Sequence, residues 1–242
     1  MKKIIRLLFL ISSVAVIIVS CAKKDDKKTT ATPASSTGMT ASGTVTGDDN
    51  LTGIFNSSYW GQEPSGGCID NSTAIAAKMA LSAVPSDTLG YKEQIIITSS
   101  TAYTESLQYY SDASCATITG YMNQGFKSFL VGDSLSGLSP GSSPAKPTTA
   151  KKVSYNEDFT ALKSNTDTTT SFFSTLLGGA SVLSAIGFTQ GTELKIPESG
   201  AEVNIWETGT MSGSTKTYLF TGNSHASTYP TVWSNGDTMW QE

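Results

Sequence analysis

The chain offers few groups that could do chemistry. Val131-Gly132-Asp133-Ser134-Leu135-Ser136-Gly137 presents Ser134 in a setting that could suit a nucleophile. A serine hydroxyl attacks only when a base takes its proton, and the one histidine, His225, is the sole candidate. Gly137-Leu138-Ser139-Pro140-Gly141 has the Gly-x-Ser-x-Gly spacing, but that device needs a helix after the serine. Pro140 and the Ser-Ser-Pro that follows argue for a loop instead. Asp48-Asp49 and Glu157-Asp158 would suit glycosidic chemistry only if brought across a cleft, and solvated loops or strand edges account for them. The acidic loops lack the spacing of a calcium-binding hand, and a single histidine leaves a zinc site short of ligands. Neither metal nor cofactor is expected.

Three cysteines remain: Cys21, Cys68 and Cys115. Cys21 closes a segment with a positive head (Lys2, Lys3, Arg6) and an apolar run, Leu7 to Val19, broken only by Ser12 and Ser13. That is the layout of a secretory signal, and the run is shorter than the roughly 20 apolar residues of a membrane span. Ile18-Val19-Ser20-Cys21 resembles the lipobox of bacterial lipoproteins, with Ile18 and Val19 where Leu and a smaller residue are usual. The resemblance implies diacylglycerol on the Cys21 sulfur, cleavage before Cys21 and acylation of the new amino group. Ala22, rather than Asp, follows the anchor. Under the enteric sorting rule this predicts an outer-membrane location in the cell envelope. Each buried CH₂ contributes about 0.8 kcal/mol, so two or three chains would anchor the protein stably.

Removing residues 1–20 leaves 222 residues, with 13 lysines against 20 acids and no arginine, since Arg6 is the only one. The mature chain then carries a net charge of −7. Such a chain has no basic stripe and no guanidinium fork for guanine or phosphate, so nucleic acid is not an expected partner. The membrane contact must come from lipid rather than charge. With Cys21 lipidated, Cys68 and Cys115 form an even pair in an exported chain, which reads as a disulfide.

The remaining elements must position whatever function there is. Residues 21–50 predict a lipidated, disordered tether: Lys23-Lys24-Asp25-Asp26-Lys27-Lys28 precedes Thr, Ser, Ala and Gly with almost nothing to bury. Such a chain spans about 30 Å root-mean-square. The folded domain is expected over 51–242. Short β-rich segments with Gly, Asn and Asp punctuation predict mainly antiparallel β structure. Strands are expected near 51–60, 91–99, 102–111, 118–122, 126–131, 152–162, 203–208, 215–221 and 238–241. Asn123-Gln124-Gly125 reads as a break between two of them, and Ser134 to Thr149 as a loop. Thr73 to Val84 fits helix and strand equally. Thr168 to Ile186 is the one clear helix, with Phe172, Phe173, Leu176, Leu177, Ala180 and Leu183 on one face and Asp167 as a candidate cap. Gly178-Gly179 weakens it.

Two further resemblances bear on function. Gly53 with Trp60, Cys68, Tyr110-Ser111-Asp112 with Cys115, and Gly125-Phe126 through Gly132 resemble the cysteine-paired, lipocalin-like barrels of bacterial lipoproteins. Tyr218 to Asn223, Tyr229-Pro230-Thr231 and Met239-Trp240-Gln241 are similar to their closing hairpin, although Tyr229 stands where arginine is usual. The resemblance implies a single antiparallel barrel of about eight strands with one short helix. Its interior is either filled by side chains or holds one small ligand. Tyr110 and Asp112 are read as a packed ring and a turn-forming carboxylate. The block around Ser134 looks like that of the GDSL-type esterases. There, however, the block opens the domain, an acid precedes the histidine by three residues, and a Gly-x-Asn-Asp block follows. Here Gly222 holds the acid's place and that block is missing.

The expected function is therefore non-catalytic: a lipid-anchored envelope protein carrying a small apolar ligand, lined by some of Phe126, Phe129, Phe159, Trp206 and Phe220. The alternatives are a surface interaction module with a closed core, binding an envelope or surface protein, and an esterase using Ser134 and His225.

Overall fold

The computed structural model describes residues 39–59, 62–140, 145–233 and 238–241. Nine strands form one antiparallel sheet: β1 (Ile54–Ser57), β2 (Gly90–Ser99), β3 (Ala102–Tyr110), β4 (Ile118–Ser136), β5 (Thr149–Ser164), β6 (Leu194–Pro197), β7 (Ala201–Gly209), β8 (Tyr218–Thr221) and β9 (Met239–Gln241). Their order is β4-β3-β2-β1-β9-β8-β7-β5-β6, and β4 also pairs with β5. Eight strands thus follow one another in a ring, and β6 extends the line of β7 along the same edge of β5.

Alternation decides which side chains the ring encloses. Tyr103, Glu105, Leu107 and Tyr109 share one face of β3. Tyr103 lies 4.9 Å from Trp206 of β7, with β4 and β5 between them. On a flat sheet those strands would stand about 14 Å apart, so the two rings meet on the concave side. Around Tyr103 pack Phe126 at 4.6 Å, Tyr155 at 5.3 Å and Phe129 at 5.4 Å. Val45, Leu51, Phe55 and Leu219 complete this enclosed apolar layer. A second layer joins Tyr91, Leu107, Tyr109, Met122 and Leu162 to the helices. A third cluster lies on the opposite face of β7, β8 and β9, where Ile205, Tyr218, Phe220 and Trp240 meet Trp233 and Leu138.

Among the described residues three α-helices, rather than one, accompany the sheet. α1 (Ser72–Ala80) is capped by Asn71, whose side chain accepts from the Thr73 and Ala74 amides; it buries Ala74 and Ile75. α2 (Asp167–Leu177) buries Phe173 and Leu177. Thr166, not Asp167, is its cap, accepting from the Thr169 amide at 3.2 Å. Gly178 and Gly179, at φ +95° and +121°, end α2 in a conformation that costs glycine little, and α3 (Ala180–Ala185) starts anew.

Other expectations change for local reasons. The domain starts before residue 51: the Ser42 amide donates to the Ile97 carbonyl and the Thr46 amide to Ser100, both at 2.9 Å, and Val45 is buried. Asn123-Gln124-Gly125 does not break the chain, because β3 pairs through it on one side and β5 on the other. Gly125 is a slot for the Phe159 ring rather than a turn. β4 and β5 also run further than expected: Ser134, Leu135 and Ser136 still pair with Lys151, Ala150 and Thr149.

Cys68 and Cys115 form a disulfide across 47 residues, with Cα atoms 5.9 Å apart. It ties the segment before α1 to the β3–β4 turn. Asp112 shapes that turn by accepting from the Ser114, Ala116 and Thr117 amides. The Ser114 hydroxyl and then those amides hold its carboxyl well below the usual range. The Tyr110 ring is buried, and its hydroxyl donates to Gln108.

Two stability effects follow. A Cβ on Gly125 would stand 2.1 Å from the Phe159 ring, so Gly125→Ala should lower unfolding free energy by about 2 kcal/mol, read from urea midpoints. Replacing both Cys68 and Cys115 by serine should remove roughly 4 kcal/mol, with reductant abolishing the difference from the parent.

Candidate functional site

Between the two enclosed apolar layers the ring turns polar. Glu105 on β3 pairs with Gln124 on β4, which pairs with Thr160 on β5, so all three share the enclosed face. Glu93 on β2 lies on that face one step away, opposite Leu107. Ser57 follows the Asn56–Gln94 pair and so stands beside Glu93. Gln124, Thr160 and Ser57 are buried, whereas Glu105 and Glu93 keep part of their surface open. Both glutamates are therefore half-buried rather than sealed.

The charges here are unevenly matched. Lys78 reaches from α1 to Glu93 at 3.4 Å, and its ammonium lies 5.5 Å from the centre of the Tyr91 ring. No described residue makes a hydrogen bond or ion pair with the Glu105 carboxylate. Burial, and then the charge of Glu93, push the Glu105 carboxyl up to about 7. Tyr155 is pushed up to about 12 by burial and then by the Glu105 charge. Burial, followed by Tyr155 and Glu105, raises the Tyr103 hydroxyl well above its usual value. Burial and then Glu93 do the same to Tyr109. The hydroxyls of Tyr103 and Tyr109 are buried without a hydrogen-bond partner.

This belt was not singled out from composition, yet β3 carried a signal for it. In Tyr103-Thr104-Glu105-Ser106-Leu107-Gln108-Tyr109 a glutamate occupies the register of the apolar residues. A charge there is either turned inward at a cost or needed inside.

The expected ligand lining divides. Phe126, Phe129 and Trp206 are enclosed. Phe159 faces the other way, with the Lys195 ammonium 3.6 Å from its ring centre, and Phe220 packs at 6.1 Å from Trp233 in the opposite-face cluster. Ser134 and His225 are not brought together. Ser134 pairs with Lys151 of β5, while His225 bridges Val203 of β7 from the far side. Two strands separate them, about 14 Å of sheet, and both side chains are exposed. Ser139 follows strand β4, and among the described residues the next element after it is strand β5. Among the described residues no group of three or more His, Cys, Asp or Glu could hold a metal ion. A cleft of about 430 Å³ opens between α2 and α3, lined by Thr170, Ser174, Leu183 and Phe188 among others. Cys21 lies outside the described residues, as do the signal segment, most of the expected tether and Trp60.

No family model matches the chain, and no curated protein matches it.

The Glu105 environment sets the sign of a pH effect. A carboxyl at about 7 in the folded chain, against 4.5 unfolded, holds its proton more tightly when folded. Its contribution to stability is therefore full below 4.5 and is lost as pH rises through 7. Glu105→Gln should remove this loss. Its unfolding free energy should match the parent's near pH 4.5 and exceed it by up to roughly 3 kcal/mol at pH 8, measured by urea titration across that range.

Proposed function

We propose that this protein is a lipid-anchored lipoprotein of the bacterial cell envelope whose ring is a lipocalin-like barrel serving as a non-catalytic carrier. The observation that carries the reading is the enclosed face. It has apolar layers at both ends and, between them, two half-buried carboxylates. That arrangement suits a small ligand with an apolar body better than a core filled throughout. In the closed-core alternative the loops would bind an envelope or surface protein, and the ring interior would take up nothing.

Export is supported by the Cys68–Cys115 disulfide, since such bonds persist in oxidising compartments. The lipobox at Ile18 to Cys21 supplies the anchor, and the absence of arginine from residues 21–242 argues against nucleic acid as a partner. Ser134 and His225 stand too far apart to share a proton, which argues against the esterase alternative.

In cells, the parent should partition into the detergent phase on extraction with Triton X-114, and Cys21→Ser should move to the aqueous phase. Native mass spectrometry of the gently extracted protein should show a mass above that of the lipidated chain, lost on denaturation. A bare lipidated chain in every preparation would favour the closed-core interaction module.

A further inference from the structure

The carrier reading leaves open what the polar belt recognises. We infer that Glu105 binds the ammonium group of a small amphiphilic amine, whose apolar portion lies against the enclosed rings; this rests on the ring acting as a carrier.

Four observations converge. First, Glu105 sits half-buried on the enclosed face, with no described residue bonded to its carboxylate. The lysine that reaches this region is engaged by Glu93 at 3.4 Å. Second, the Tyr103 hydroxyl, in a residue only 1% exposed, makes no well-formed hydrogen bond, with only the Tyr155 hydroxyl near it, and lies close enough to Glu105 to feel its charge. A tyrosine oxygen can accept from an N–H, so an ammonium at Glu105 would satisfy it. Third, Gln124 and Thr160 add acceptor oxygens on the same face. Fourth, Tyr103 and Tyr155 both lie within electrostatic reach of the carboxylate, and aromatic rings attract cations. A metal ion would ask for more carboxylate or imidazole ligands than the described residues gather here. An unpaired carboxylate in such a setting is costly, and an organic cation offsets that cost.

The test uses the full chain in non-ionic detergent and three probes of one size: n-hexylamine, 1-hexanol and hexanoate. Binding is read by isothermal titration, with empty micelles as blank. Hexylamine should bind at least tenfold more tightly than hexanol, and hexanoate not at all. Glu105→Gln should lose at least tenfold in hexylamine affinity while hexanol binding is unchanged. Tyr103→Phe, which removes only the hydroxyl, should weaken hexylamine several-fold and leave hexanol alone. If hexylamine and hexanol bind equally to the parent and to Glu105→Gln, the ring carries ligands but the charge recognition is overturned. If none of the three binds, the carrier reading fails with it.

Discussion

β4 and β5 pair along most of their lengths, from Gly120–Ser164 to Ser136–Thr149, and this long ladder makes the sheet return on itself. Without it, β4 and β5 would be bare edges at two ends of an open sheet, each presenting unpaired backbone groups. With it, the concave face becomes an interior. Side chains from β1, β3, β5, β7 and β8 then reach one another: Phe55, Tyr103, Tyr155, Trp206 and Leu219 belong to a single cluster. The irregularities concentrate in the same ladder, between Gly125 and Phe126, Lys127 and Leu130, and Val131 and Ser134. Extra residues of this kind bend and twist a strand, which a sheet needs in order to close.

Closure sets the terms for everything inside. An interior formed by aromatic rings has a low dielectric, so a carboxylate within it must be paired, protonated or solvated. The protein uses more than one of these routes within a few ångströms. Glu93 has Lys78, while Glu105, desolvated by burial, shifts its proton affinity upward. The unmatched tyrosine hydroxyls nearby belong to the same imbalance. A fold optimised only for stability would place apolar side chains at these positions. That the chain holds two glutamates there is the physical basis for assigning the interior a task.

Much of the architecture was legible in the sequence. The alternation in Tyr91 to Ser99 and Ala102 to Ser111 located β2 and β3 to within a residue or so, and the even cysteine pair located the disulfide. Other features were hidden because they depend on partners distant in the chain. Asn123-Gln124-Gly125 has turn chemistry, but two flanking strands override it, and Gly125 is required by a ring from β5. β6 is four residues long and is held by its pairing to Phe159–Leu162, which no local pattern announces. Val45 looked like part of a polar tail because its burial depends on a wall formed by residues more than fifty positions later. The Glu105 site was half visible: the glutamate broke the apolar register of its strand, but only ring closure turns that break into an enclosed acid.

The segment from Ser42 to Gly53 adds a mechanical aspect. It enters along β2, bonding to Ile97 and Ser100, folds back through the Thr44–Thr52 bridge, and lodges Val45 and Leu51 in the apolar layer beneath Tyr103. A load arriving from residues upstream of Met39 would meet this strap first, where hydrogen bonds, the Asp48–Lys151 ion pair and the burial of Val45 and Leu51 fasten it down. Peeling it back would uncork one end of the ring while the eight-strand circuit stayed shut. Traction at the N-terminus and access to the interior would then be a single coordinate.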